Sequence, residues 1–474
     1  MNNKQIDYDV SVTKIIDEWI QLSATNEERY FKYSLSRFVI PDIYSAIRDK
    51  IFNIEAFKIE KRFDFSGKLK KIFFSLFWFI KWIYFRAFVK NDGIIICALN
   101  LSYKNSPVYL KLLLELAREH NLKIVHFNSS TSLLDLFRGQ LYCFPYQLIP
   151  IKKNNFPTYY EIETIKSNLN EIVYNNLKIK IDLDGKFNQQ ITMLNRLYSS
   201  FSEMVAQIVL NNKIKLYFND GDFSSNRVLF NYCCNQINIK TVCTDHAVIF
   251  NKHLHLNSFS DYHLAWGNHQ LDRIKLYFNK TPGKIFVVGN PEVNSLNMKF
   301  SPEGKSIIYF LPSFNSPLFQ TINRSLSYSL FIAKKIQYSL SETFPQYKLF
   351  IKPHPADKLD ELIKKENLNI WSEKVRNTEI VSLCIVEDSS VYYELLNHDT
   401  NVLYVKDIEG NDSIGVNNLK SVFAFEKAES FTFVFHEITQ NKLDKEERKR
   451  LKKHYSQLGF HDNFMNSFQE ILLD

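Results

Sequence analysis

YKLFIKPHP (Tyr347–Pro355) and VSLCIVEDSS (Val381–Ser390) decide the fold. Each is a β-rich apolar run of strand length that ends in a polar turn. Each is followed by a helical pattern, KLDELIKKE at 358–366 and VYYELLNH at 391–398. Strands alternating with amphipathic helices predict a parallel α/β sheet. SIIYFLPS (306–313) supplies a strand upstream, with a long helix over about 321–342, and NVLYVKD (401–407) adds a strand downstream.

The same grammar runs through the first half. GIIICAL (93–99) reads as a strand, NLSYKNSP as a polar loop, VYLKLLLELAREH as a helix and LKIVHF (122–127) as the next strand. The loop contains no GxGxxG, so a dinucleotide fingerprint is absent. KIKLYFND (213–220), IKTVCTDH (239–246), YHLAWG (262–267) and KIFVVGNPEV (284–293) read as further strands, and SSNRVLFNYCCNQ as a helix. The predicted class is α/β, with two Rossmann-like domains facing a central cleft. The expected division is an N-terminal helical region at 1–90, a Rossmann-like acceptor domain at 91–290, a Rossmann-like donor domain at 291–443, and a helical tail at 444–474.

The 474 residues suit two or three domains. Net charge is +8, which fits a phosphate-rich ligand or an anionic membrane surface. No run of Lys and Arg interleaved with stacking aromatics points to nucleic acid. The six cysteines form no CxxC pair and mostly lie in apolar runs, as reduced thiols of the cytoplasm do. The first residues, MNNKQIDYDV, show no secretory signal. IFFSLFWFIKWIYFRAFVK (72–90) follows Lys68, Lys70 and Lys71. It has the length of a membrane span, but Lys81 and Arg86 interrupt it. It reads either as a helix lying on a membrane surface through residues 68–90 or as a buried aromatic helix, with the basic flank favouring the former.

Ligands of open parallel sheets bind outside the carboxyl ends of the strands. His354 stands at such an end, and Pro355 holds its backbone extended. An imidazole there can donate to a phosphate oxygen and stabilise a departing nucleotide; Lys352 adds a second phosphate partner. A loop histidine of no special role is the plainer alternative. In EDSS, Ser389 and Ser390 precede a helix, where hydroxyls and free N–H groups suit a phosphate but also serve as an ordinary N-cap. Glu394 is one helical turn on and can accept from ribose hydroxyls. Two phosphate-compatible loops at one sheet edge point to a nucleotide-activated donor.

The order Gly289-Asn290-Pro291, then KPHP, then Asp388-Ser389-Ser390 and Glu394, resembles two-Rossmann-domain (GT-B) glycosyltransferases of bacterial surface-polysaccharide synthesis. The resemblance covers roughly 215–410. It is to sialyl- and polysialyltransferases and capsule Kdo transferases, and more distantly to CDP-glycerol-type polyol phosphotransferases. It implies that His354-Pro355 and the paired serines hold a CMP phosphate. It also implies that Asp220-Gly221, in LYFNDGDFSS, supplies the base; Asn219 replaces the first acidic residue of that motif. Asp220 and Asp222 form a DxD, but a metal is not expected in this class, and no other cofactor. His246, in TDHAVIF, resembles the working histidine of the polyol phosphotransferases, with Ala247 in place of a glycine. His253, His255 and His263 give no metal-ligand set of recognisable spacing.

The expected activity is therefore inverting, metal-independent transfer from a CMP-linked acidic sugar to a surface glycan or lipid-linked glycan acceptor. Asp220 or His246 would be the base. A CDP-polyol phosphotransferase, a UDP- or GDP-hexose transferase and a nucleotide-binding scaffold subunit are the alternatives. The expected place is the cytoplasm, or the inner face of the membrane if 68–90 docks there.

Overall fold

The structure is a computed structural model. It describes residues 93–99, 105–128, 141–145, 214–221, 225–244, 260–277, 283–291, 298–312, 326–354, 359–387, 391–396, 400–405, 423–425, 431–440, 452–456 and 458–474, with a few isolated positions such as Asp357 and His398. The helical region expected at 1–90, the aromatic run 72–90 included, lies outside them apart from Glu18.

The first sheet has seven strands: β1 (Ile94–Ala98), β2 (Lys123–Asn128), β3 (Leu141–Pro145), β4 (Ile214–Asn219), β5 (Lys240–Thr244), β6 (Tyr262–Ala265) and β7 (Lys284–Val287). Their order is β3-β2-β1-β4-β5-β6-β7, and every pairing is parallel. Helices α1 (Ser106–Glu119), α2 (Ser225–Gln236) and α3 (Asn268–Tyr277) follow β1, β4 and β6.

The second sheet comprises β8 (Lys299–Phe300), β9 (Ser306–Phe310), β10 (Lys348–Lys352), β11 (Ile380–Val386), β12 (Asn401–Val405) and β13 (Phe423–Phe425). Its order is β10-β9-β11-β12-β13, again parallel, with β8 beside the start of β11. Around it lie α4 (Leu326–Thr343), α5 (Asp360–Lys365), α6 (Glu373–Thr378), α7 (Val391–Leu395) and α8 (Phe431–Gln440). Both units are thus Rossmann-type α/β layers, the expected class.

The strands are apolar on both faces because both faces are covered. In the second sheet the pleat divides them by period two. Ile307, Tyr309, Leu349, Ile351, Leu383, Ile385, Leu403 and Val405 pack with α4 and α8. Ile308, Phe310, Phe350, Cys384, Val386, Val402 and Tyr404 pack toward α7 and Tyr455. Cys97, Cys233, Cys234, Cys243 and Cys384 are buried free thiols, and burial pushes the Cys234 thiol well above its ordinary range.

The end of the chain returns to the first sheet. Helix α9 (Phe460–Leu473) inserts Phe464 and Phe468, both fully buried, against Tyr109 of α1 and Phe218 of β4. Lys240 Nζ donates to Ile471 O at 3.1 Å, Tyr262 Oη donates to Asp474 at 2.9 Å, and Lys284 pairs with Glu470. Just before α9, the ring of Tyr455 packs among the second unit's Tyr392 and Tyr393. Its backbone lies so close to Gly267 of the first unit that a Cβ there would stand 2.5 Å from it. The tail therefore touches both units.

Candidate functional site

Numbered from β9 and leaving aside the two-residue β8, the second sheet has the order 2-1-3-4-5. Its topological switch point lies between β9 and β11, the place where such sheets receive ligands. Lys352, Phe310 and Val386 are aligned across β10, β9 and β11. Pro353-His354, Leu311 and Glu387 therefore leave the sheet at one level. Lys352 and His354 are both half-buried there. The His354 carbonyl accepts from Asp357 N at 2.9 Å, which tightens the turn, and the Lys352 carbonyl accepts from Leu311 N at 3.0 Å. Pro355, Ser389 and Ser390 lie outside the described residues. Glu394 is half-buried on α7, flanked by buried Tyr393 and Leu395.

Glu387, the first residue of EDSS, is fully buried, and Tyr309 Oη donates to its Oε1 at 2.6 Å. The pair ties the exit of β11 to β9 across the switch point. The hint was a tyrosine inside the apolar run SIIYF: a buried phenol finds a partner.

The first sheet switches direction between β1 and β4. Ala98 and Asn219 are in register, as are Asn219 and Cys243. Leu99, Asp220 and Thr244 thus stand at neighbouring strand exits. Asp220 is fully buried. One carboxylate oxygen accepts from Ser106 Oγ, and the other faces Arg227 Nη2 at 2.5 Å. Gly221 follows with φ 150°, a conformation that side chains disfavour.

Asn219 carries polar bonds to both sides. Its Oδ1 accepts from Gly221 N at 3.0 Å, and its Nδ2 donates to Asn231 Oδ1 at 3.1 Å. Asn231 in turn donates to Ser260 Oγ at 3.3 Å. A carboxylate at 219 has no proton to donate, which gives a physical reason for the amide where the resembling motif carries an acid. On β2, buried His126 places Nε2 3.1 Å from Leu99 O and 3.3 Å from Leu99 N, at the mouth of the loop after β1. Ser106, Arg227, Asn231 and His126 went unnamed in the sequence reading. A single sequence holds no signal for their convergence, which the parallel order creates.

His246 lies outside the described residues, as do Asp222, His253 and His255. His263 is fully buried within β6, opposite Cys243 and Ile285. Among the described residues, no three His, Cys, Asp or Glu side chains are placed to hold a metal ion. No described helix is long and apolar enough to cross a membrane.

The two units meet through aromatic rings. His269 of α3 is 5 % exposed, and its Nδ1 lies 3.3 Å from Tyr393 Oη of α7. The Tyr455 ring stands 5.0 Å from the imidazole of His269 and 4.6 Å from the ring of Tyr393.

No protein-family model and no curated protein sequence matches the chain. Solved structures do resemble it. The apo form of the lipopolysaccharide outer core galactosyltransferase WaaB is 11 % identical, covers 80 % of this chain and 99 % of its own, and gives a TM-score of 0.48. Medicago truncatula UGT71G1, complexed with UDP-glucose, is 10 % identical over 80 % of this chain and 98 % of its own, with a TM-score of 0.46. A putative UDP-N-acetylglucosamine 2-epimerase from Listeria monocytogenes is 11 % identical over 80 % and 95 %, with a TM-score of 0.44. Likeness at this level carries no activity with it. The two parallel strand orders establish the architecture.

Proposed function

We propose that this protein is a glycosyltransferase that takes a sugar from a nucleotide-activated donor. One observation supports the reading: at the switch point of the second sheet, Lys352–His354 and Glu387 leave neighbouring strands at one level. In that arrangement Lys352 and His354 meet the donor phosphate, with Ser389 and Ser390 beside it and Glu394 toward the ribose. The acceptor hydroxyl attacks the anomeric carbon as the bond from that carbon to the phosphate oxygen breaks. His354 stabilises the charge that develops on that oxygen. The hydroxyl proton passes to a group at the carboxyl edge of the first sheet, for which the sequence offers Asp220 and His246.

The donor we propose is a CMP-linked acidic sugar, in line with the resemblance in the KPHP and DSS stretches and with the net charge of +8. The acceptor is a glycan or lipid-linked glycan. The proposed chemistry is inverting and needs no metal, and residues 68–90 are the proposed contact with a membrane surface. The test is release of CMP from CMP-sialic acid by the full chain, with water as the default acceptor. Release by the wild type that falls on the order of 10²–10³-fold in His354→Ala supports the reading. Equal release by both proteins counts against it.

A further inference from the structure

We infer that Asp220 is a positioning residue, clamped with Ser106 and Arg227 across the switch point of the first sheet, and that the acceptor proton goes to a different group. The inference builds on the transferase reading for its kinetic consequence, while the clamp itself is read from the geometry.

The three residues come from three elements. Asp220 is the first residue beyond β4, Ser106 opens α1, and Arg227 sits in the first turn of α2. Their exposures are 0 %, 0 % and 7 %. One carboxylate therefore ties together the two helix starts that flank the switch point. Ser106, where α1 begins, and Gly221, where the chain leaves β4, adjoin that carboxylate.

A general base must come within hydrogen-bond reach of the hydroxyl it deprotonates, about 2.6–3.2 Å. Asp220 offers no exposed face for that contact. Both its oxygens are already engaged, one by the Ser106 hydroxyl and the other by the Arg227 guanidinium. The surroundings are built for fixity as well. Asn219 holds Gly221 on one side and Asn231 on the other, and Asn231 continues to Ser260. Buried hydrogen-bonded chains of this kind rigidify what they join. The clamp thus fixes the starts of α1 and α2 at the edge of the first sheet, and deprotonation falls to another group; His246, two residues past the end of β5, is the sequence candidate.

Three variants of the full chain test this: Asp220→Asn, Arg227→Gln and the double variant. Each single change leaves one buried charge without its counter-ion, whereas the double change leaves a neutral pair able to hydrogen-bond. The first readout is CMP release from CMP-sialic acid across pH; the second is amide hydrogen exchange of residues 99–106 and 221–227 without ligand. The clamp predicts at least a 10-fold loss of rate and faster exchange in both single variants. It predicts that the double variant returns to within about 3-fold of wild type with an unchanged pH profile. A double variant as inactive as Asp220→Asn, with wild-type exchange or a missing limb in its pH profile, makes Asp220 the base and overturns the inference. Wild-type exchange in both single variants overturns it too. If the wild type releases no CMP, the donor or the transferase reading fails instead, and the exchange data alone decide the clamp.

Discussion

Asp220 and His354 mark opposite outcomes of one rule, that strand exits in parallel sheets meet ligands. His354 leaves β10 half-buried beside Lys352. Asp220 leaves β4 fully buried and already paired. Stability should register the difference. Removing one member of a buried pair typically costs about 3–5 kcal/mol. Arg227→Gln should therefore lower the denaturant midpoint sharply. A chemical-denaturation series checks this, and an Arg227→Gln midpoint equal to wild type would speak against the pair. The residue types were legible in the sequence: an Asp-Gly at one strand end and a His-Pro at another. Whether each faces a ligand or the interior was not, because Ser106 and Arg227 come from elements that only the folded sheet brings to Asp220.

At the scale of elements, the alternation of apolar runs and helical patterns located most of the described strands and helices to within a few residues. The run at 93–99 became Ile94–Ala98, and the run at 306–313 became Ser306–Phe310. Leu141–Pro145, Phe423–Phe425 and the two-residue Lys299–Phe300 escaped notice. Short strands take their identity from neighbours rather than from their own pattern. Helix α9 was legible as a helix, but its docking on the first sheet was not. The aromatic spacing Phe460, Phe464, Phe468 reads as an apolar stripe and does not say what it packs against.

That docking makes two predictions. Phe464→Ala should destabilise the first unit by about 3–5 kcal/mol, as aromatic truncations in cores do, measured by urea unfolding. His461, near the start of α9, has its pKa raised by its hydrogen bond to Asp462, with Glu115 of α1 at 3.5 Å contributing as well. A raised folded pKa means the stabilisation is complete below the unfolded value of about 6.5 and is lost as pH climbs through the folded one. The melting-temperature gap between wild type and His461→Gln should therefore be largest below about pH 6.5 and shrink as the pH rises. The gap will be small, since the ring is mostly exposed. A gap that widens with pH would contradict the assignment.

For the whole molecule, two parallel sheets, each with its own switch point, are joined by a tail that touches both. Gly267 is the tightest point of that tie, because a methyl group there meets the Tyr455 backbone. Gly267→Ala should loosen residues 452–474, seen as faster proteolytic cleavage near residue 456, with the second sheet left intact. The two-sheet class was readable from the sequence because periodicity is local. The placement of Lys352 and His354 at the second sheet's edge was readable from one short motif. The frame at the first sheet's edge was not, because it depends on contacts between residues more than a hundred positions apart, such as Ser106 and Asp220.

If the edge of the second sheet binds a nucleotide phosphate, thermal unfolding of the full chain with CMP, CDP, UDP and GDP in turn will register it. A ligand that binds only the folded state raises the melting temperature as its concentration climbs above its Kd. CMP should raise it, UDP and GDP should leave it nearly unchanged, and the CMP effect should disappear in His354→Ala. Preference for UDP or GDP would replace the donor while keeping the site; no shift with any of the four nucleotides, or a CMP shift that survives in His354→Ala, would leave the sheet edge without a nucleotide site built on His354.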